Sequence, residues 1–117
     1  MRHVAAKDRP GRARPLTEPV LWILLSLASQ PRHGYSLMKD VESLSEGRVR
    51  LGTGTMYGAL GRLLEESWIE PFEQLDTSRE KQAYRLTATG RARLRDELDR
   101  LRHLTRTAAA RLKTREA

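Results

Sequence analysis

The sequence predicts a mainly α fold with a small β-hairpin, arranged as a winged helix-turn-helix followed by a long C-terminal dimerisation helix. Apolar residues recur at helical spacing in separate segments before residue 66. Two short β-type segments follow, joined by a polar turn, and a final segment repeats apolar residues at alternating steps of four and three. The predicted organisation is a flexible basic arm at 1–15, a winged helix-turn-helix domain at 16–87 and a dimerisation helix at 88–117.

Length and charge limit the classes of protein that this chain can represent. Its 117 residues suffice for one domain with a modest core, so a separate ligand-binding domain is not expected. The net charge of +7 favours polyanionic partners, either nucleic acid or an anionic membrane. Residues 1–15 carry +4 and residues 88–117 carry +5, which leaves −2 for residues 16–87. A DNA-binding surface on this body must therefore depend on a few placed side chains.

Several kinds of chemistry are not expected. The chain has no cysteine, which excludes disulfides, thiolate nucleophiles and cysteine metal sites. Its three histidines, His3, His33 and His103, are far apart, so no metal site is predicted, and no cofactor is implied. The longest apolar run, Val20–Leu27, is too short to span a bilayer, and no cleavage-type segment follows it. We expect a cytoplasmic protein without membrane association.

The first elements are an arm and a helix. Residues 1–15 are rich in Arg, Ala and Pro, which predicts a flexible arm that either enters a minor groove or is a solvated tail. Thr17 can cap the helix that follows, with Glu18 and Pro19 in its first turn. This helix is apolar on more than one face, because Trp22 lies opposite the stripe formed by Val20, Ile23, Leu24 and Leu27. A second subunit would cover the additional apolar face.

Two further helices follow. The second has the apolar stripe Leu37, Met38, Val41 and Leu44 and ends at Gly47. The third begins near Thr53, which we expect to be its cap, and turns the apolar positions Met56, Leu60, Leu63 and Leu64 toward the core. Its outer faces carry groups suited to phosphate oxygens or base edges, or to close approach: Thr55, Tyr57, Gly58, Gly61 and Arg62. The alternative interpretation is an ordinary amphipathic helix.

The remaining elements are a hairpin and the last helix. Segments 68–72 and 82–86 predict two strands, with Pro71 facing a sheet edge. Thr87-Ala88-Thr89-Gly90 opens the last helix. Its apolar positions form a heptad seam, which predicts packing against another helix or, as a dimerisation seam, against a second subunit: Leu94, Leu98, Leu101, Thr105, Ala108 and Leu112. The surrounding arginines are either a solvated face or contacts to phosphate.

Four segments together resemble the PadR family of transcriptional regulators, over about residues 16 to 105. They are LTEPVLWILLSL at 16–27, HGYSLMKDVE at 33–42, GRVRLGTGTMYGALGRLLEESWIE at 47–70 and YRLTATGR at 84–91. The short C-terminal segment resembles the small subfamily, which has one dimerisation helix. The resemblance implies a winged helix, a dimer and, for most members, repression that is relieved when an effector or partner binds.

The resemblance also implies roles for individual residues. The family's recognition-helix pattern falls on Thr55, Met56, Tyr57 and Leu60, with Tyr57 on a phosphate and Leu60 in the core. At the start of the second helix, Tyr35 is expected to pack and His33 to cap or to hydrogen-bond. The chain departs from the family at Gly58, where Pro is frequent, at Trp68, where Leu is commoner, and in a wing that contains acidic Asp76 and Glu80. The predicted DNA-binding residues are Thr53, Thr55, Tyr57, Arg62, Arg79 and Lys81.

An effector pocket between subunits is a further expectation from the resemblance. Trp22 and Trp68 are the two aromatic residues that could stack on a small aromatic or hydrophobic effector, and structural packing is the alternative role for each. Overall, we predict a homodimeric regulator that binds an inverted repeat in double-stranded DNA. The alternative is a winged-helix module that docks an acidic protein partner without specific DNA binding. An enzyme is not expected, because no nucleophile, base and carboxylate occur at recognisable spacing.

Overall fold

The computed structural model describes residues 14–73 and 82–116. In chain order its elements are α1 (Glu18–Ser29), β1 (Arg32–His33), α2 (Gly34–Leu44), α3 (Thr53–Glu65), β2 (Ile69–Phe72), β3 (Ala83–Leu86) and α4 (Ala88–Glu116). The mainly helical class with a small sheet is confirmed. Most of the predicted arm and the tip of the predicted wing lie outside the described residues.

Helix α1 begins as its sequence predicts. The Thr17 hydroxyl oxygen accepts a hydrogen bond from the Val20 amide at 3.4 Å, and Pro19 lies in the first turn, where a missing amide donor has no cost. The inward positions Ile23, Leu24 and Leu27 are buried. Helix α1 packs against α2 and β3.

The sheet has three antiparallel strands in the order β1-β3-β2. The predicted hairpin is β2 and β3, with Ile69 opposite Leu86 and Phe72 opposite Ala83. Strand β2 is at the sheet edge, as Pro71 requires, since proline cannot donate to a further strand. Strand β1 was not predicted: it has two residues, which is too short to show an alternating pattern.

A partly buried polar cluster joins α1, β1 and α2. The Ser26 hydroxyl donates to Asp40 Oδ2 at 2.5 Å, and Arg32 Nη2 lies 3.4 Å from the same oxygen. Arg32 Nε also donates to the Ser26 carbonyl at 3.2 Å. A carboxylate in this half-buried position needs such partners, so the cluster joins the middle of α2, at Asp40, to α1 and β1.

The first turn of α4 is joined to the end of α3 by Thr87. The Thr87 hydroxyl accepts from the Gly90 amide at 2.9 Å and donates to the Ser67 carbonyl at 2.6 Å. A β-carbon on Gly90 would overlap the carbonyl oxygen of Trp68, so only glycine fits there. The predicted opening of the last helix at Thr87–Gly90 is therefore confirmed. Packing against Trp68 explains why glycine occupies position 90.

The chain divides into two compact units, Leu16–Leu94 and a second that includes Arg95 onward, and α4 contributes to both. In the second unit, the Glu97 carboxylate is 2% exposed and accepts from Arg100 Nε at 3.0 Å and Nη2 at 2.7 Å. These hydrogen bonds raise the pKa of Arg100 above its ordinary value, so the guanidinium remains charged. Residues 102–113 are exposed.

Candidate nucleic-acid interface

The N-cap of helix α3 lies one residue earlier than predicted. Gly52 is the N-cap, and its carbonyl accepts from the Met56 amide at 2.9 Å. Thr53 is the first helical residue, and the prediction that it caps α3 is wrong. Gly52 supplies no capping side chain. Thr53 is exposed in the first turn of the helix.

The inner face of α3 is apolar, as predicted. Its buried positions are Met56, Ala59, Leu60 and Leu63, which pack in a helix that contacts α2 and β2. The predicted core position of Leu60 is confirmed, and Leu64 is half-buried. The opposite face is left to solvent.

The exposed face of α3 is polar, and several of its positions have short side chains or none. Thr55, Gly58, Gly61 and Arg62 are all exposed. A β-carbon on Gly58 would lie 3.9 Å from Arg62 Nη1, so the guanidinium extends back along the helix over the glycine. Hydroxyl and guanidinium groups hydrogen-bond to phosphate oxygens and base edges, and the glycines allow close approach to the backbone.

Tyr57 lies at the side of this face, half-buried, where α3 meets α2. Its phenol oxygen stands 2.5 Å from the ideal β-carbon position of Gly34, the first residue of α2. The phenol therefore occupies space that any larger residue at position 34 would need. This packing fixes the direction of the Tyr57 hydroxyl, which the sequence predicted as a phosphate contact.

The predicted wing contacts, Arg79 and Lys81, and the acidic wing residues Asp76 and Glu80 lie outside the described residues. The described base of the wing contains Arg85, which the sequence prediction omitted. Arg85 Nε donates to Glu70 Oε2 at 2.7 Å, and its guanidinium stacks 5.1 Å from the centre of the Phe72 ring. Its charge is therefore engaged within the sheet.

The start of α2 differs from the prediction. Tyr35 is 67% exposed, so the expectation that it packs is wrong. The inward positions of this helix belong to Gly34, Leu37 and Val41, which leaves residue 35 outside. His33 holds the N-cap position without a side-chain capping hydrogen bond. The Lys39 ammonium, which the prediction also omitted, lies 5.5 Å from the centre of the Tyr35 ring.

The two tryptophans are both half-buried and have different partners. Trp22 Nε1 donates to Glu18 Oε2 at 3.1 Å, on the face of α1 opposite the buried stripe. The Trp68 ring lies 5.5 Å from the Arg93 guanidinium. Each indole therefore has both packing contacts and accessible surface.

The predicted dimerisation residues differ in exposure along α4. Leu94 is 4% exposed in the single chain and belongs to the buried core. Leu98 and Leu101 are half-buried, and Thr105, Ala108 and Leu112 are exposed. Leu112 is 65% exposed, so the end of the predicted seam presents an apolar side chain to solvent.

Among residues 14–73 and 82–116, none of the helices has the length and hydropathy of a membrane-spanning segment. The same residues contain no group of three or more His, Cys, Asp or Glu side chains that could hold a metal ion.

Comparison with known proteins identifies one family. Residues 23–96 match the model of the transcriptional regulator PadR-like family. An uncharacterized 37.1 kDa protein in transposon TN4556 of Streptomyces fradiae is 35% identical over 83 residues, 71% of this chain. The chain spans 23% of the length of that relative.

Solved structures share the fold. A PadR family transcription regulator from Clostridium difficile superimposes with a TM-score of 0.67 at 22% identity, covering 82% of this chain and 99% of its own. Bacillus subtilis PadR in complex with operator DNA gives a TM-score of 0.60 at 24% identity, covering 70% of this chain and 47% of its own. These likenesses show the winged-helix fold.

Proposed function

The chain belongs to the PadR-like family of transcriptional regulators, and from that premise we propose that it is a sequence-specific DNA-binding repressor that acts as a homodimer. The observation that carries the proposal is the exposed face of α3. It combines hydroxyl groups and a guanidinium with glycines that leave room for a close partner. Operator DNA bound by the similar Bacillus subtilis protein supports the same class of ligand here.

In the proposed complex, α3 lies in the major groove. Thr53 and Thr55 would contact base edges or phosphates in its first turn, and Tyr57 would donate to a phosphate oxygen. Arg62 is the only cation of α3, and its guanidinium extends over Gly58 on the exposed face. Arg79 and Lys81 are proposed as backbone contacts from the wing, outside the described residues.

Two-fold symmetry is the second part of the proposal. A dimer joined through α4 would bind an inverted repeat with half-sites about 10 bp apart. The exposed Ala108 and Leu112 and the half-buried Leu98 and Leu101 are the residues we propose at the subunit contact. Repression itself is proposed from the resemblance to the family.

An effector is the third part of the proposal. A small aromatic or hydrophobic compound would stack on Trp22 or Trp68, each of which has accessible indole surface. Titration of the intrinsic fluorescence with planar aromatic compounds, using Trp22→Phe and Trp68→Phe, tests this part. Loss of quenching in one variant assigns the binding site to the tryptophan that was replaced. Equal quenching of both variants and wild type at every compound concentration would contradict a specific effector site at either tryptophan.

The main test is selection of bound duplexes from a random DNA pool by the full chain. The proposal predicts a palindromic motif whose binding weakens about 10³- to 10⁵-fold between 50 and 200 mM salt, for six to ten phosphate contacts. Weak, salt-dependent binding to every duplex with no enriched motif would contradict it. That result would favour the module that docks an acidic protein.

A further inference from the structure

Each helix of the helix-turn-helix carries a single basic residue, Lys39 in α2 and Arg62 in α3. Elsewhere in the described part of the winged helix, four arginines lie within 4.0 Å of a carboxylate: Arg32, Arg48, Arg50 and Arg85. Among the described residues no carboxylate lies within that distance of Lys39 or Arg62. Arg62 belongs to the α3 face already proposed, so Lys39 is the cation that needs an explanation.

Lys39 and Tyr35 form one exposed unit on α2. They are one helical turn apart, and the ammonium lies 5.5 Å from the centre of the phenol ring. Tyr35 is 67% exposed, although a tyrosine normally contributes to stability by burial. The pair therefore presents a hydroxyl donor and an ammonium group to solvent, and the ring holds the flexible lysine side chain near it.

The acidic residues nearest in the helix are already engaged. Asp40 accepts from the Ser26 hydroxyl and lies 3.4 Å from Arg32, on the half-buried side of α2. Glu42 lies 3.3 Å from Arg50. Positive charge at Lys39 is thus not cancelled by a neighbour within the described residues, in a body whose net charge is negative.

The position of the pair also matters. Tyr35 directly follows Gly34, over which the Tyr57 phenol of α3 packs. The surface of α3 therefore continues onto the first turn of α2. In helix-turn-helix proteins the second helix lies in the major groove of DNA, and the first helix then crosses the phosphate backbone beside that groove.

We propose that the Tyr35–Lys39 pair is a contact for the phosphodiester backbone of duplex DNA, separate from the α3 face that contacts bases. This inference rests on the proposed function and adds a sequence-independent contribution to it. Lys39 would neutralise one phosphate per subunit, and the Tyr35 hydroxyl would donate to a neighbouring phosphate oxygen.

The test compares the selected duplex with a shuffled duplex over a range of salt concentrations. Lys39→Gln should weaken binding to both duplexes by the same factor. It should also lessen the loss of affinity between 50 and 200 mM salt, by about 3.5-fold for each phosphate contact removed and about 12-fold for a dimer. Lys113→Gln is the matched control, because it removes the same charge from an exposed position near the end of α4. Lys39→Arg should retain the salt dependence of wild type.

Equal affinity and salt dependence of Lys39→Gln and Lys113→Gln would overturn the inference. The proposed function would still stand if wild type distinguished the two duplexes. Failure of wild type to distinguish the two duplexes would instead overturn sequence-specific binding. The salt dependence of Lys39→Gln compared with that of Lys113→Gln would still test whether Lys39 contacts the phosphate backbone. Tyr35→Ala, compared with Tyr35→Phe, separates the ring that holds Lys39 from the hydroxyl.

Discussion

The phenol oxygen of Tyr57 stands 2.5 Å from the place where a β-carbon on Gly34 would lie. The two residues belong to α3 and to the first turn of α2, so this contact fixes how closely the two helices approach. It also explains why glycine begins α2.

Gly34→Ala should destabilise the fold and weaken DNA binding together. The added methyl would overlap the Tyr57 hydroxyl, and overpacking of this kind costs about 1–3 kcal/mol. Thermal or urea unfolding and duplex titration measure the two effects. Gly54→Ala is the control for stability, because no atom lies within 4 Å of its β-carbon position. Adding Tyr57→Phe to Gly34→Ala should recover part of the stability, and a purely additive double variant would contradict the contact.

Gly61→Ala and Gly58→Ala should raise stability and lower DNA affinity. At Gly61 nothing lies within 4 Å of the added methyl, and at Gly58 the Arg62 guanidinium is at an ordinary contact distance. Removing a glycine from a helix stabilises it by about 0.5–1 kcal/mol. Weaker binding by the more stable variants would indicate that the DNA groove accepts α3 only when these positions have no side chain. Unchanged binding would show that these glycines have no role in close approach.

Thr87→Val should destabilise the winged helix by about 1–2 kcal/mol, because the amide of Gly90 and the carbonyl of Ser67 each lose a hydrogen-bond partner. Thr87→Ser keeps the hydroxyl and should remain close to wild type in urea unfolding. Loss of stability in Thr87→Ser with none in Thr87→Val would contradict this account, because it would mean that the threonine methyl, not the hydroxyl, matters.

Leu112→Gln should weaken the proposed dimer about tenfold or more, since it removes an apolar side chain from the seam of both subunits. Leu104 is the control: it is 54% exposed on the same helix but does not belong to the predicted seam. Sedimentation equilibrium across a range of concentrations measures the dissociation constant. If Leu104→Gln has the larger effect, the seam is wrongly placed.

The elements that sequence patterns predicted well are those with a local cause. Thr17 caps α1 through a hydrogen bond three residues away, and the buried stripe Ile23, Leu24 and Leu27 follows helical spacing. The inward position of Leu60 depends likewise on periodicity within one helix. Such features need no knowledge of the rest of the chain.

Features that depend on distant residues were missed. Strand β1 exists because Arg32 and His33 pair with β3, about fifty residues later in the chain. The family resemblance implied that Tyr35 packs, yet the inward positions of α2 are Gly34, Leu37 and Val41, and the phenol of Tyr57 packs over Gly34. The shift of the α3 cap to Gly52 shows how a threonine next to a glycine leaves a boundary ambiguous by one residue.

The candidate site was predicted only in part for the same reason. Periodicity alone indicated the exposed position of Thr55 and Arg62. The ion pairs Arg48–Glu18 and Arg50–Glu42 join residues from different segments. The sequence does not show these pairs, so it could not show that Lys39 differs from these arginines in having no carboxylate within 4.0 Å among the described residues.

The most direct test of the central claim, that the exposed face of α3 contacts bases, is to repeat the duplex selection with Thr55→Val beside wild type. Thr55→Val removes one hydroxyl from an exposed position and should leave the fold intact. We expect wild type to enrich an inverted repeat, and the variant to lose preference at one position in each half-site while keeping the others. Enrichment of the same sequence to the same degree by both proteins would contradict base contact by Thr55, and the same result with Arg62→Ala would contradict base contact by the α3 face.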